Sequence, residues 1–333
     1  MSAPRAVSAA RLLLPLVAAV GLAQEAEPPL ELRERRGRVM GSELQLEVLG
    51  PDPVALEAAL DAAEAELRRV EDLCTDWRPS PLTSLNEAAG QGPQPVPPEL
   101  ARLIARSFEV SRVTGGAFDA TFAGVGRLWD FKRDPPLVPD AAAITSALRN
   151  VGWQRVTVDL ERSTIDLPAG MKLGLGGIAQ GWGSDRAMAV LMERGIRHAL
   201  VNVSGDIKAL GRKHGKPWQI AIKHPREKDR VLAVIPVSNA CVVTSGDYER
   251  FFLHEGRRYH HIIDCRTGYP STGAMSATVV TPDCTLADAL ATALCVLGPE
   301  EGLRVVASLP RTEALIVDMN GKVHLSPGLA GRR

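Results

Sequence analysis

Along "RVMGSELQLEVLG", residues 38–50, the chain alternates through Leu44, Leu46 and Val48, with Gln45 and Glu47 polar between them. A period of two predicts a half-buried strand. Asp52-Pro53 then opens an Ala-, Leu- and Glu-rich run to about Leu73, and a Pro in the first turn predicts a helix there. "GQGPQPVPPEL" predicts a loop followed by a second helix to about Val113, and the Pro-rich "KRDPPLVPD" leads into a helix around residues 140–150. "RVTVDL" and "STIDLP" predict short strands, residues 178–194 a helix, and "HALVNVSG" a strand. "WQIAIKHP", "VLAVIPVS", "CVVTSG" and "SATVVT" predict further strands with turns between the first three. "TLADALATALCVLG" and "EEGLRVVASL" predict two helices, and "EALIVDMNGKVHL" a hairpin around Asn320-Gly321. Helices and strands mix without strict alternation, so the predicted class is α+β.

That order decides the meaning of one motif. Gly174-Leu175-Gly176-Gly177-Ile178-Ala179 spells G-x-G-x-x-A, the pattern that brings a backbone against a dinucleotide pyrophosphate. A dinucleotide-binding oxidoreductase places it in the first β-α-β unit of a parallel sheet, with an acid ending the next strand. Here the next strand does end near Asp206, but the motif lies mid-chain and a run of strands without crossover helices follows. Parallel strands need such crossovers. The oxidoreductase reading fails.

Lys+Arg and Asp+Glu both number 39 in 333 residues. That balance lacks the basic surface that neutralises a phosphate backbone, so nucleic acid is excluded as a partner. Arg5 and Arg11 precede "LLLPLVAAVGLA", which ends in small residues at Gly21 and Ala23. A basic start, a short apolar run and a small-residue exit predict a secretory signal peptide over 1–23, and the run is too short and Pro-interrupted to span a membrane. The expected organisation is an exposed linker over 24–36, one domain over 37–326 and a flexible tail over 327–333. The expected location is outside the cytoplasm, in the periplasm. Cys74, Cys241, Cys265, Cys284 and Cys295 are odd in number and scattered, which is neither a disulfide framework nor a zinc site.

Several segments carry candidate chemistry. The glycines at 174, 176, 177 and 181 open a helix, where free N–H groups favour an anion; a tight turn with close helix packing is the other reading. Asp288 and Thr292 stand four apart on an otherwise apolar helix and so share a face. They suit a hard cation, or alternatively a cap or satisfied core pair. "GGAFDATFAGVGRLWDF" places Asp119 and Thr121 in a second Gly-rich stretch, and "YHHIIDCRTGYP" places His260, His261 and Asp264 beside a turn.

Taken in order, "VMGS", "WRPSPLTSLN", "GGAFDATFAGVGRLWDF", "LGLGGIAQGWGSDRA", "ALVNVSGDI", "VVTSGDYERFF", "HHIIDCRTGYP" and "ADALATALCVLG" resemble the ApbE family, the FAD:protein FMN transferases. The resemblance implies one T-fold-related domain of mixed, largely antiparallel sheets flanked by helices. It also implies an activity: FAD is split at its pyrophosphate with Mg²⁺ or another divalent cation, and FMN passes to a Thr or Ser of a partner protein with release of AMP. The partner would be an exported flavoprotein, near a membrane redox complex. By the same resemblance Asp288, Thr292 and the Gly177 carbonyl hold the metal. Met40, Trp77, Ala117, Phe118, Asp119, Gly174, Gln180 and Ile263 contact FAD, with Trp77 and Met40 fit to wall a planar ring and Trp77 equally fit for a core. His261 handles the proton, or is simply hydrogen-bonded.

Three departures stand out. The family usually has Asp where Gly174 stands and Lys or Glu where Gln180 stands, and "WRPSPLTSLN" is one residue short. Two alternatives share the site: an FAD pyrophosphatase giving free FMN and AMP, and a periplasmic FAD-binding protein without catalysis.

Overall fold

The computed structural model describes residues 30–331; the expected signal peptide lies outside them. The chain opens with a hairpin of β1 (Glu31–Val39) and β2 (Ser42–Gly50), then α1 (Pro53–Cys74) and α2 (Pro81–Glu87). β3 (Gln94–Pro95), α3 (Pro98–Val113), α4 (Ala123–Gly126), α5 (Ala141–Leu148), β4 (Thr157–Asp159) and β5 (Thr164–Asp166) lead to α6 (Ala179–Glu193). Next come β6 (His198–Val203), β7 (Asp206–Leu210), β8 (Trp218–Lys223), β9 (Val231–Val237) and β10 (Ala240–Gly246). A hairpin of β11 (Phe251–His254) and β12 (Arg257–His260) precedes β13 (Ser276–Thr281), α7 (Cys284–Ala307), β14 (Glu313–Val317), β15 (Val323–Leu325) and α8 (Pro327–Ala330).

Eight strands form one sheet in the order β1-β2-β6-β7-β10-β13-β14-β15, and every neighbouring pair is antiparallel. This is the α+β arrangement expected, with no crossover-linked parallel unit in its main sheet. The pleat divides the side chains between two cores. Leu44, Leu46 and Val48 of β2 face α1, α6 and α7, while Leu49 faces the opposite side. There the β8–β9 hairpin closes the sheet with Trp218, Ile220 and Ile222, the alternate residues of β8. α7 is the two expected helices joined through Gly298, whose φ of 74° breaks the rod just before Pro299.

Two expected boundaries are corrected. The linker over 24–36 is not a linker throughout, because β1 begins at Glu31 and pairs with Gly50 of β2. Its sequence, ELRERRGRV, hides this because an edge strand can be charged: Arg35 reaches Glu57, Asp61 and Glu64 of α1. The tail from 327 is likewise folded at its start, as α8 buries Leu329 against the second core and Gly328 N donates to Glu313 Oε2 at 3.0 Å. Strand β7 and the β11–β12 hairpin also lie where no strand is expected. Among the described residues no helix is long and apolar enough to cross a membrane.

Candidate active site

The site grows from the crossing of α6 and α7. Asp283 caps α7 by accepting from Leu286 N at 2.8 Å, and Asp288 and Thr292 project from the helix face that meets α6. The approach is close because α6 offers Gly181. A Cβ there would lie 2.2 Å from the Cys284 carbonyl oxygen and 2.8 Å from Asp288 Cβ. Asp288 Oδ2 accepts from Gly181 N at 3.0 Å, so it caps the first turn of a helix that has no cap of its own at Ile178. One turn along α7, Thr292 Oγ1 stands 3.5 Å from where a Cβ of Gly177 would be, and the Phe118 ring 3.4 Å from it. Gly177, Asp288, Thr292 and Phe118 are thereby brought together.

Asp206, at the start of β7, adds a second carboxylate. It is 5% exposed, it neighbours Asp288, and its Oδ2 has no hydrogen-bond partner. Burial, reinforced by the Asp288 charge, holds Asp206 well above the usual carboxylate range. Burial also pushes Asp288 up to about 7, against the stabilising bond from the Gly181 amide. The two share one proton problem. A cation fits the place: an orphaned buried carboxylate oxygen, a hydroxyl and a carbonyl are all hard oxygen donors. Among the described residues no three His, Cys, Asp or Glu side chains are grouped to hold a metal, so such an ion depends on Thr292 and backbone oxygen beside Asp288.

Around this centre lie the residues expected at FAD. Gln180 Nε2 donates to Ser42 Oγ at 3.0 Å and so ties α6 to the β1–β2 turn. In that turn Met40 takes a φ of 52°, and its methyl group packs 2.8 Å from the Cβ position of Gly183. Gly174 N donates to Ala120 O at 2.8 Å, which sets it against the Ala117–Phe118–Asp119 segment. The Asp119 carboxylate is fully engaged inside the protein, by Thr121 N, Thr121 Oγ1 and Trp153 N. Its role is to hold its own loop, and burial raises its pKa. Cys265 Sγ reaches the Asp119 carbonyl at 3.8 Å and brings the Ile263 turn alongside. Trp77 is 62% exposed, which removes the core alternative. Arg127 holds its loop near α4 by donating to the Asp76 carbonyl at 3.4 Å.

His261 N donates to Arg250 O at 3.0 Å, but its side-chain Nδ1 is buried without a partner. The alternative of a simply hydrogen-bonded ring finds no bond at that atom. Burial, with the nearby Arg250 and His260, lowers its pKa to about 4, so the ring is neutral at pH 7. His260 also has a buried Nδ1 without a partner, but its Nε2 lies 2.9 Å from the Ser271 carbonyl.

The family model described as the ApbE family matches residues 40–316, from Met40 through the whole of this site. The chain belongs to the ApbE family. An FAD:protein FMN transferase of Treponema pallidum is 35% identical over 313 residues, covering 88% of this chain and 86% of that one. The ApbE protein of Thermotoga maritima has a TM-score of 0.82 at 32% identity, over 90% of this chain and 98% of that one. The apo flavinyl transferase ApbE of Pseudomonas stutzeri gives 0.80 at 29% identity, over 91% and 96%. The Treponema and Pseudomonas relatives are transferases, and the chain is an enzyme of that class.

Within the ApbE frame, the departures have local counterparts. A Cβ at Gly174 would lie 3.0 Å from Ala123 Cβ and 3.3 Å from the Phe122 ring, so the bare glycine lets the α4 segment close on it. At Gln180, where the resemblance leads to the expectation of a charged side chain, the structure has a neutral bond to Ser42. Two residues beside Asp288 and Thr292 are not among the site residues expected from the sequence. One is Asp206, and the other is Ser245, whose Oγ lies 3.2 Å from Thr292 Oγ1. A signal existed: Ser-Gly-Asp occurs twice, at 204–206 and 245–247, each time after an apolar strand.

Proposed function

We propose that this enzyme is a divalent-cation-dependent FAD:protein FMN transferase, exported to the periplasm, acting on a Thr or Ser of an exported flavoprotein. The observation that carries this is the convergence of Asp288, Thr292 and Gly177 beside Phe118 at the start of α6. Mg²⁺ held by those residues would supply charge neutralisation at the pyrophosphate oxygens. The α6 N-terminus adds favourable N–H dipoles. Exposed Trp77 supplies apolar surface for a planar ring. The acceptor hydroxyl oxygen forms a bond to the FMN phosphorus, the bond from that phosphorus to the bridging oxygen breaks, and AMP leaves. The hydroxyl proton passes to neutral His261.

The test is to incubate the mature protein with FAD, Mg²⁺ and a candidate flavoprotein domain. Covalent FMN seen by gel fluorescence, together with AMP, supports the reading. AMP with free FMN only makes the enzyme a pyrophosphatase. FAD binding without AMP makes it a carrier.

A further inference from the structure

Helices α6 and α7 cap each other. Gly181 and Asp185 stand one turn apart on α6, and Cys284 and Asp288 stand one turn apart on α7, so each pair lies on one helix face. Asp288 of α7 accepts from Gly181 N of α6. The return contact runs from α6 to α7: Asp185 Oδ1 accepts from Cys284 N at 3.2 Å. Its Oδ2 accepts from Thr285 N at 2.9 Å and from Thr285 Oγ1 at 2.6 Å. A helix leaves its first four N–H groups without an internal partner, and in α7 all four are answered. Asp283 takes Leu286 N with its side chain and Ala287 N with its carbonyl, the second at 3.0 Å. Asp185 takes the other two.

The two caps differ in what they tie down. Asp283 is joined directly to the helix it caps and would travel with α7 wherever that helix went. Asp185 belongs to α6, so its bonds fix the start of α7 against a neighbour, and the Gly181–Asp288 bond fixes α7 again one turn further on. Lys208 of β7 brings in a third element. Its Nζ donates to Asp185 Oδ1 and, at 3.1 Å, to the Pro282 carbonyl just before α7. β7 begins with Asp206, the carboxylate that neighbours Asp288. Both oxygens of the half-buried Asp185 are thus committed to four donors, at the point where α6, α7 and β7 are joined.

We propose that Asp185 is a positioning residue for the cation: it holds the start of α7 to α6 so that Asp288 and Thr292 stay opposite Gly177. The inference rests on the cation of the transferase reading and adds the residue that aims its ligands. Mg²⁺ tolerates little departure from octahedral geometry, so its affinity depends on how firmly its oxygen donors are held. Without Asp185 the first turn of α7 keeps the Asp283 cap and stays helical, but it loses its anchor on α6. Asp288 is then held to α6 by the Gly181 amide alone, and Lys208 loses the carboxylate that links β7 to the crossing.

The experiment compares Asp185→Ala, Asp185→Asn and Asp283→Ala in the mature protein without FAD. Asp283→Ala is the control, because it removes a cap of the same helix without touching a bond to α6. Both alanine variants should lower the metal-free melting temperature by a few degrees. The Mg²⁺ concentration that gives half of the full rise in melting temperature at pH 8 should separate them. It should increase about tenfold or more in Asp185→Ala and stay within about twofold of the parent in Asp283→Ala. Asp185→Asn keeps one acceptor oxygen, and so part of the anchor, and should fall between the parent and Asp185→Ala. Hydrogen exchange of a peptide covering Gly181, read without metal, should quicken severalfold in Asp185→Ala and not in Asp283→Ala. A half-point in Asp185→Ala equal to the parent's, or an equal increase in Asp283→Ala, overturns the proposal. If Asp185→Ala does not fold, Asp185→Asn carries the comparison, and a half-point equal to the parent's overturns it there. Failure of the transferase reading looks different: the parent releases no AMP from FAD while its melting temperature still answers to Mg²⁺. A parent that does not answer to Mg²⁺ at all overturns the cation and this inference together.

Discussion

Asp288 serves two purposes that set opposite demands on its charge. As the cap of α6 it needs only an oxygen to accept the Gly181 amide, and as a cation ligand it needs the formal charge. Asp288→Asn separates them. The amide oxygen can still accept from Gly181, and the charge facing Asp206 is gone, so the metal-free variant should melt at or above the parent temperature. FMN transfer should nonetheless fall about 100-fold or more, the scale of losing one electrostatic stabiliser. Transfer near the parent rate in limiting Mg²⁺ would put the cation elsewhere. His261 makes a second expectation. Its pKa of about 4 leaves it neutral throughout the physiological range. The rate should therefore be flat between pH 6 and 8 as far as His261 governs it, and drop as pH falls toward about 4. His261→Ala should lose roughly 100-fold or more in transfer at unchanged FAD affinity. The Asp288 carboxylate, raised to about 7, adds its own limb through the cation, so the test is made at saturating Mg²⁺: a limb near pH 4 that persists in His261→Ala would belong to another group.

Helix α6 shows how a sequence signal can be right about place and wrong about partner. Its Gly-rich start reads as a nucleotide fingerprint, but Gly181 is required by a neighbouring helix, since a side chain there meets the Cys284 carbonyl. Gly181→Ala is expected to cost about 1–3 kcal/mol through overpacking. Because the same contact aims Asp288, transfer and the thermal response to Mg²⁺ should fall together. Retention of both, measured by scanning fluorimetry and AMP release, would mean that the helix crossing is slack. The same logic explains what was legible. β2 and α1 carry apolar periodicities because one face of each meets a core, while β13 and the first half of α7 are apolar runs buried on all sides, and both kinds of signal are written in the sequence. β1 is charged because its outward edge has no neighbour and its arginines answer the acids of α1. The β11–β12 hairpin mixes Arg and aromatic residues because each guanidinium lies on a ring. Neither leaves a period of two. At the site, Asp288 and Thr292 were readable as a helical pair, but the closeness of Asp206 comes from strand order, which no local window holds.

For the molecule as a whole, two buried titrations oppose each other over one pH interval. His261 has a folded pKa of about 4, below its ordinary 6.5, so its stabilising effect is present above 6.5 and is lost as pH falls through 4. The Asp206–Asp288 pair runs the other way. Asp288 is raised from 3.8 to about 7, so the stability linked to it is present below 3.8 and is lost as pH rises through 7. In metal-free protein the two effects partly cancel between pH 4 and 7, and the melting temperature should vary little there on their account. A cation breaks the balance, because it binds the carboxylate and not the acid and stabilises the folded state by mass action. The rise in melting temperature produced by millimolar Mg²⁺ should be close to nothing at pH 5 and reach several degrees at pH 8. In Asp288→Asn the rise should be small at both. Scanning calorimetry of the four combinations decides it: a Mg²⁺ effect as large at pH 5 as at pH 8 would mean that the ion does not engage the Asp206–Asp288 pair, and the centre of the proposed site would have to move away from the α6–α7 crossing.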